Sequence, residues 1–472
     1  MKRYLIRSGI APTELKQPEE MILNNLIGGN IGNLIYAYSI YRNLMTNDVE
    51  IVPDNYRINE NDAEMINKYY DAYIIPLADA FRETFVENLK KYTKLFEKLT
   101  IPVIVIGVGV KAPINKRIED GFSFDEEVKS FVKAVLKRSN MIGVRGQITA
   151  DYLSYLGFVE GKDHTVIGCP SMYAFGEDLK IKDLQLTKSS TIALNSSKLS
   201  PEHVLEFITD VSNNYPDYYF IPQWMKEFQM TYIGDQKLSE NTSFYPNTIK
   251  DKYYEENRVR FPLNAKSWID FMKNVDLAVG ARLHGNITAT IAGTPSLLIV
   301  KDARMKELAE YHNLTYVSEE NLLGGKKIKD FIKTLDFHAP EKVQSQNFNH
   351  FINFIEKNGL DHIYNYSYYQ YPPLDQKLNN IELPEMLTPI NALTPTEISD
   401  RLIKYTTLEK NIKSKLKKEN KNLSKKVKQQ EEKIKIYSKD KEYLANQLQK
   451  KSVKLGLKLS NTLTILKKRL KF

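Results

Sequence analysis

The amino-acid sequence predicts an α/β protein with two doubly wound, parallel-sheet domains, followed by a helical C-terminal segment. Three observations predict this fold class. Short apolar runs alternate with helical patterns over the first 370 residues. These runs are continuously apolar, which is typical of parallel strands that helices cover on both faces. Beyond residue 396, a seven-residue apolar repeat replaces the alternation.

The first series of strands predicts a Rossmann-like N-terminal domain over residues 1–178. A helix with one apolar face is predicted between two of these strands, over residues 125–138. The strands are predicted at RYLIR (3–7), VEIV (49–52), YDAYIIP (70–76), IPVIVIGVGV (101–110), MIGVR (141–145) and HTVIGC (164–169).

The same scheme repeats after a hinge near residues 175–189 and predicts a second Rossmann-like domain with a trailing helix over residues 186–370. Its strands are predicted at STIALNS (190–196), YYFIPQ (218–223), DLAVGAR (276–282), PSLLIV (295–300) and TYVS (315–318). In doubly wound sheets, ligands bind where strands end and helices begin. We therefore expect the functional residues to lie in motifs at those positions.

Residues 371–396 are rich in proline and predict a linker or an extended strap. Residues 397–472 then predict a basic helix with coiled-coil character. Placing Leu416, Leu423, Gln430, Tyr437, Leu444 and Lys451 at heptad position d puts Asn420, Val427, Ile434, Lys441, Leu448 and Leu455 at position a. Eight of these twelve positions are apolar, which favours a homo-oligomer with polar interruptions in its seam.

The last twenty residues carry a leucine stripe and a cluster of cations. The stripe comprises Leu455, Leu459, Leu463, Leu466 and Leu470, and the cations are Lys467, Lys468, Arg469 and Lys471. This pattern fits a helix lying on an anionic bilayer. It fits an extension of the oligomer seam equally well, because periodicity does not separate the two interpretations.

The net charge of +9 divides unevenly along the 472 residues. Residues 401–472 contain 23 basic residues (Lys and Arg) and 6 acidic residues (Asp and Glu). Residues 1–400 contain 44 basic and 52 acidic residues. A basic tail on a mildly acidic body indicates an anionic surface as partner. Nucleic acid is not expected as a partner, because the tail offers few aromatic side chains on which bases could stack.

Several classes of protein are not expected. The single cysteine, Cys169, excludes an intramolecular disulfide and suits a reducing cytosol. No run approaches the roughly 20 apolar residues of a spanning helix. The seven histidines are scattered without metal-ligand spacing to Cys169, so no metal site is predicted. The expected location is cytoplasmic, with the inner face of the membrane as the anionic surface.

The most informative stretch is DLAVGARLHGNITATIAGTPSLLIV, residues 276–300. A buried strand ends at Arg282, and a helix begins by Gly285. Helix N-termini attract anions, and Arg282 adds a guanidinium that holds phosphate or carboxylate through two bonds. His284 adds a group that ordinarily titrates near neutral pH. An anionic substrate that must also be protonated fits this motif better than two structural residues do.

Two glycine-containing turns and one further arginine occupy similar strand-to-helix positions. GGNIGNLIYAYSIY, residues 28–41, opens a helix with a glycine-rich turn that suits backbone contact with a ligand. Arg145 stands at the end of a strand, directly before a helix. Gly107 and Gly109 form a tight turn that permits close approach of a substrate. The glycine-rich turn is also compatible with plain packing, and Arg145 with a surface arginine that caps a neighbouring helix.

These motifs together resemble the polysaccharide pyruvyl transferase family, over roughly residues 20–320. The family signature has Arg-x-His at a strand end, then a helix of small residues and a Gly-x-Pro. The helix SWIDFMKNVD before it, with Trp268 and Asp276, is also similar. Asn30, Gly32 and Asn33 match an Asn-x-Gly-Asp loop, but Asn33 stands where the family often has Asp. Ser171 likewise replaces a common Asp.

The resemblance implies a glycosyltransferase-B-like architecture and transfer of pyruvate from phosphoenolpyruvate to a sugar as a cyclic ketal, without a further cofactor. The donor carries phosphate and carboxylate, so Arg145, which matches a family arginine that contacts it, and Arg282 are expected to clamp it. His284 is the candidate general acid. The expected substrate-binding residues are Asn30, Gly32, Asn33, Gly107, Gly109, Leu283 and Gly285.

Two alternatives stay open at the level of sequence. A glycosyltransferase that uses a nucleotide sugar can share this architecture, although the absence of an Asp-x-Asp motif removes the usual metal–diphosphate site. A non-catalytic scaffold, in which the coiled coil recruits partners, is the second. The presence of Arg145, Arg282 and His284 favours the enzyme over the scaffold.

Overall fold

The computed structural model describes residues 1–112, 116–234 and 244–469, with side chains of the last helix up to residue 462. Contacts divide the chain into two compact units, residues 1–402 and residues 403–472. The predicted division of the first unit into two domains, at residues 178 and 186, stays a prediction.

Each of the eleven apolar runs overlaps one strand, and all strand pairs in the sheets are parallel. The strands are β1 (Lys2–Ile6), β2 (Val49–Pro53), β3 (Ala72–Pro76), β4 (Val103–Ile106), β5 (Ile142–Val144), β6 (His164–Val166), β7 (Ile192–Asn195), β8 (Tyr218–Phe220), β9 (Leu277–Gly280), β10 (Ser296–Val300) and β11 (Tyr316–Ser318). Most end before the apolar run does, because the residues beyond them turn towards a helix. The predicted parallel α/β fold class is confirmed.

The helices of the first unit alternate with these strands. They are α1 (Pro18–Leu23), α2 (Gly32–Leu44), α3 (Ala63–Tyr69), α4 (Val86–Lys98), α5 (Asp125–Leu136), α6 (Gln147–Tyr155), α7 (Glu202–Asn214), α8 (Met225–Ile233), α9 (Lys252–Glu255), α10 (Ala265–Lys273), α11 (Leu283–Ile291), α12 (Ala303–Tyr311), α13 (Ile328–Ile332), α14 (Glu341–Lys357) and α15 (Pro373–Asn379). Helix α16 (Pro395–Gln449) begins in the first unit and continues into the second, where α17 (Lys451–Arg469) follows.

The two halves of the first unit repeat one sheet topology. The first sheet has the order β2-β1-β3-β4, and a parallel bridge between Val108 and Val144 connects it to the pair β5-β6. The second sheet has the order β11-β10-β9-β7-β8. In each sheet the strand order reverses once, between β1 and β3 and between β7 and β9. Doubly wound sheets bind ligands at such reversals, beyond the carboxyl ends of the strands.

Two buried apolar cores cover these sheets. One lies among the helices and strands of the first half, and the other among those of the second half. Helix α14 ties the halves together, because Gln344 donates from its side chain to the carbonyls of Met172 and Gly176, and Phe351 stacks on Tyr173. These contacts explain why residues 1–402 form a single compact unit.

Residues 371–396 pack against the body of the first unit. Leu374 and Leu378 are buried, and Leu387 pairs with Phe261 in an isolated antiparallel bridge. Of the two interpretations of this proline-containing segment, the packing favours the strap over the free linker.

The second unit is helical, as predicted, with α16 alone running for 55 residues. Whether it forms a coiled coil depends on a partner chain and stays a prediction. Leu463, Leu466, Leu470 and the terminal cations at 467–471 lie outside the described side chains. Among the described helices, none is long and apolar enough to cross a membrane.

Candidate active site

A cavity of about 720 Å³ opens where the two sheets reverse their strand order. Residues that follow β1 and β3 line one side, and residues that follow β7, β9 and β10 line the other. Six of the predicted site residues line this cavity: Asn30, Asn33, Arg145, Arg282, Leu283 and His284. The structure thus brings Arg145, Arg282 and His284 to one cavity.

Arg282 ends β9 and lies at the N-cap of α11. Its backbone N–H donates to the Asn195 side-chain oxygen at 2.9 Å, which fixes the turn from strand to helix. Its guanidinium lies over the Trp224 ring at 4.1 Å and 3.8 Å from the Glu227 carboxylate. Neither Nε nor Nη2 of Arg282 has a hydrogen-bond partner. A buried guanidinium with free donors is suited to an anionic ligand.

Arg145 follows β5 and reaches the cavity from the first half of the chain. Its backbone N–H donates to the Val108 carbonyl at 2.9 Å, and the residue is only 1% exposed. Its Nε and Nη2 atoms are buried without a hydrogen-bond partner. Arg145 thus lines the same cavity as Arg282, from the other half of the chain, and has buried donors without hydrogen-bond partners.

His284 is partly accessible on the cavity wall, in the first turn of α11. Its Nε2 lies 3.9 Å from the Cys169 sulfur, and its ring meets the edge of Tyr36. Burial, together with the nearby Arg145 and other cations, lowers the pKa of His284 to about 3. The imidazole is therefore neutral at pH 7. This result differs from the sequence-based expectation that His284 titrates near neutral pH.

The glycine-rich turn at residues 28–33 lines the cavity and connects the two halves. Asn30 accepts from Gly32 N–H at 2.8 Å through its side chain, and Asn33 donates to the Ile27 carbonyl at 2.9 Å. The turn pairs with the chain after β8, because Ile31 N–H donates to the Gln223 carbonyl at 2.9 Å. Asn33, which replaces an acid of the family motif, therefore has a structural hydrogen bond rather than a charge.

The four predicted glycines are not among the described cavity-lining residues, and the structure gives them packing roles. A Cβ on Gly32 would lie 2.5 Å from His284 Nδ1, and one on Gly285 would lie 2.7 Å from Asn195 Nδ2. Gly109 leaves room for Arg145 Cδ, which would lie 3.1 Å from an added Cβ. Gly107 has φ +67° and packs on the Tyr36 hydroxyl. The expectation of direct substrate approach at Gly107 and Gly109 is corrected accordingly: these glycines admit protein side chains.

Sequence reasoning missed a second group of cavity residues, most of which also follow strands. Arg7 follows β1, Asp79 follows β3, and Lys301 follows β10. The cavity further contains Arg82, Lys111, Gln223, Trp224, Arg304 and Glu319. The signal that could have identified Arg7, Asp79 and Lys301 is their position at the carboxyl end of a strand.

Lys301 stands out among these residues for its protonation. Its Nζ donates to the Ser200 hydroxyl at 2.7 Å. Burial and the neighbouring Arg282 lower the pKa of Lys301 to about 8. This ammonium is charged at pH 7 and close enough to its pKa to give up a proton.

Helix α12 connects the two walls of the cavity. Arg304 donates to the Asp79 carboxylate at 2.8 Å, and Glu307, one turn later, accepts from Thr149 N–H at 3.0 Å. Glu307 is 3% exposed, and burial raises its pKa to about 7. Through these bonds, a helix of the second half fixes the start of α6, which directly follows Arg145.

The N–H donors of Arg145, Arg282 and Gln223 that have no hydrogen-bond partner are suited to an anion, because N–H groups do not coordinate metal ions. Within the described residues, no group of three or more His, Cys, Asp or Glu side chains could hold a metal ion. Ser171, which replaces a family acid, is buried and does not line the cavity described here.

Comparisons with solved structures yield distant similarities. The UDP-GlcNAc 2-epimerase of Neisseria meningitidis has 10% identity and a TM-score of 0.40, over 76% of this chain and 100% of that chain. The UDP-N-acetylglucosamine 2-epimerase of Rickettsia bellii has 12% sequence identity and a TM-score of 0.39, over 79% of this chain and 98% of that chain. S. aureus MnaA, solved with UDP, has 13% sequence identity and a TM-score of 0.38, over 82% of this chain and 99% of that chain.

A comparison of sequences gives the family directly. No curated protein matches this chain. The family model for polysaccharide pyruvyl transferase matches residues 30–302, more than half of the chain, and the matched region contains Asn30, Arg145, Arg282 and His284. With a cavity that gathers these residues, the protein belongs to the polysaccharide pyruvyl transferase family and is a transferase.

Proposed function

We propose that this enzyme transfers pyruvate from phosphoenolpyruvate to two hydroxyls of one sugar, in a surface polysaccharide or its lipid-linked precursor. The observation that carries the proposal is the shared cavity of Arg145, Arg282 and His284, together with the buried donors of both guanidiniums that have no hydrogen-bond partner. Guanidinium forks match phosphate and carboxylate, and phosphoenolpyruvate has one of each. A cavity of about 720 Å³ is within the range of small-ligand sites and can hold donor and sugar together.

In this proposal, the two arginines hold the donor from opposite sheets. Arg145 belongs to the first half and Arg282 to the second, so both halves must be in place before the donor is held. Gln223 supports the same assignment, because its side-chain Nε2 is buried in the cavity wall without a partner. A carboxylate or phosphate oxygen would satisfy that amide.

The proposed reaction needs two proton transfers. One proton adds to the terminal carbon of phosphoenolpyruvate, and the first sugar hydroxyl forms a bond to the central carbon. The second hydroxyl then replaces phosphate at that carbon and closes the ketal. The two hydroxyls release two protons, of which one balances the proton taken up by carbon and the other leaves with phosphate. The arginines stabilise the departing charge.

The pKa values suggest how these transfers are divided. A neutral His284 is able to accept a proton from an attacking hydroxyl, whereas Lys301 is charged at pH 7 and able to donate one. We therefore assign proton donation to Lys301 in the first instance. His284 as general acid is the competing hypothesis, since a bound trianionic donor would offset the cations that lower its pKa.

The same proposal locates the reaction at an anionic membrane surface. The net positive charge of residues 401–472 supports this location, because basic segments are attracted to anionic lipids. A lipid-linked acceptor would be present there.

The full chain should be tested with isotope-labelled phosphoenolpyruvate and a panel of free and lipid-linked sugars. We expect acceptor-dependent release of phosphate and an acid-labile ketal on the sugar. His284→Ala should reduce this release about 10²–10⁴-fold, the usual contribution of an acid–base group, while the circular dichroism spectrum is retained. His350→Ala, on α14, is the matched control and should stay active.

Two outcomes would contradict the proposal. Full activity of His284→Ala would remove the histidine from the mechanism. A melting temperature that rises with nucleotide sugars, but not with phosphoenolpyruvate, would favour a glycosyltransferase instead.

A further inference from the structure

We propose that α16 forms a parallel, in-register, two-stranded coiled coil with a second copy of this chain, along residues 416–448. This inference concerns the second unit only and does not depend on the proposed reaction. It is carried by a seam of exposed apolar side chains and by the distribution of charge around that seam.

The seam follows the seven-residue repeat through an uninterrupted helix. Its apolar members are Leu416, Leu423, Val427, Ile434, Tyr437, Leu444 and Leu448, and each is between 51 and 70% exposed within one chain. A repeat of 3.5 residues keeps these side chains on one side of the helix. An apolar stripe of this length on a single helix requires a covering surface.

The residue types in the seam favour two parallel strands. β-Branched Val427 and Ile434 occupy position a, and Leu416, Leu423 and Leu444 occupy position d. This combination favours dimers over trimers and tetramers. Asn420 adds a polar residue at position a, where two asparagines of an in-register dimer satisfy each other and fix the register.

The charges are arranged for a partner helix rather than a bilayer. Of the ten lysines in residues 416–448, Lys417, Lys426 and Lys433 flank the seam and Lys441 lies at position a within it. The other six occupy the outer positions b and f, opposite the seam: Lys418, Lys421, Lys425, Lys428, Lys435 and Lys439. A helix lying on lipid benefits most from lysines beside its apolar stripe, where the ammonium groups reach the phosphates. Positions e and g flank the seam, and a residue at g of one helix faces a residue at e of the other. Lys426 at position g would thus face Glu431 at position e of the second copy. The other g–e pairs within residues 419–445 contain no two residues of like charge.

The register should be tested with cysteine variants of the full chain. Leu423→Cys at position d should form a disulfide with its own copy under mild oxidation, because identical d positions are adjacent only in a parallel, in-register pair. Lys425→Cys at the outer position f is the matched control and should remain unlinked. The native Cys169 is buried and does not compete. Equal cross-linking of both variants, or of neither, would overturn the register.

The stoichiometry should be tested by light scattering. We expect twice the 54.6 kDa of one chain for the native protein, and the mass of one chain for a Val427→Asp, Ile434→Asp double variant. Added salt should strengthen the dimer by screening the lysines, whereas it would weaken binding to anionic vesicles of phosphatidylglycerol. A native protein with the mass of one chain, whose vesicle binding is lost in the double variant, would overturn the proposal in favour of a lipid surface.

Discussion

Arg145 illustrates how a single residue can favour function over stability. Its guanidinium is buried, and two of its three nitrogen atoms have no hydrogen-bond partner. Burying a charge without full hydrogen bonding destabilises the folded state. A bound anion would supply the hydrogen bonds that this guanidinium lacks.

We therefore predict that Arg145→Met abolishes activity and leaves the melting temperature of the ligand-free protein unchanged or higher. Methionine fills a similar volume without a buried charge that lacks full hydrogen bonding, and burying such a charge costs free energy in the folded state. Differential scanning fluorimetry and phosphate release measure the two effects. Arg117→Met, at an exposed position, is the control. A lowered melting temperature would assign Arg145 a structural role.

Lys301 predicts a pH dependence. Its pKa is lowered to about 8, so the ammonium is present below pH 8 and is lost as the pH rises through that value. If Lys301 donates the proton, kcat should fall above pH 8 in the native enzyme. Lys301→Arg keeps the charge but cannot release a proton, so its activity should be low at every pH. An active Lys301→Arg enzyme without the alkaline fall would show that only the charge matters.

At the scale of elements, the site depends on close packing between α2 and α11. Gly32 begins α2 and leaves space for the ring of His284, which lies in the first turn of α11. The sequence identified both residues as part of the site, but it did not indicate that one supports the other. The two are 252 positions apart, and their contact depends on how the two halves meet.

Gly32→Ala should therefore displace His284 without unfolding the protein. The added methyl would lie 2.5 Å from Nδ1, so the imidazole must move. We expect kcat to fall at least about tenfold, the effect of a misplaced proton-transfer group, with little change in secondary structure. Gly456→Ala, where an added Cβ meets nothing within 4 Å, is the matched control. Unchanged kcat in Gly32→Ala would separate His284 from the chemistry.

Helix α12 shows a role that the sequence pattern alone did not predict. Arg304 and Glu307 are one helical turn apart and therefore face the same side. One bonds to Asp79 and the other to Thr149, both from the first half of the chain. This helix of the second half thereby supports the wall that contains Arg145.

At the scale of the whole molecule, the reversal points of two sheets with the same strand order line one cavity. Each half contributes one of the proposed donor-binding arginines. A ligand that needs both arginines binds only when the two halves are assembled. Binding to the folded state alone raises stability by about 2.7 kcal/mol when the ligand is at 100 times its Kd.

Saturating phosphoenolpyruvate should therefore raise the melting temperature of the native protein. Arg145→Met and Arg282→Met should each remove most of the increase, although they lie in different halves. Inorganic phosphate should give a smaller increase, because it lacks the carboxylate. A full increase in either variant would show that the donor is held by one half alone.

The sequence by itself determined the parallel α/β fold class, the approximate positions of all eleven strands, the helical C-terminal segment and the family. These features depend on local periodicity and on short motifs, which the order of residues records directly. The sequence also predicted Arg145, Arg282 and His284 as catalytic residues, because each lies at or just after the end of a predicted strand and matches a family motif.

Only the tertiary structure decided which groups share the cavity and in what state of protonation. Lys301, Arg304 and Gln223 have no motif that marks them. The pKa of His284 depends on burial first and then on cations such as Arg145, which lies far from it in the chain. The roles of Gly107 and Gly109 were likewise decided by side chains that approach from other elements. Burial and charge act through space, so they become visible only when the two halves are folded against each other.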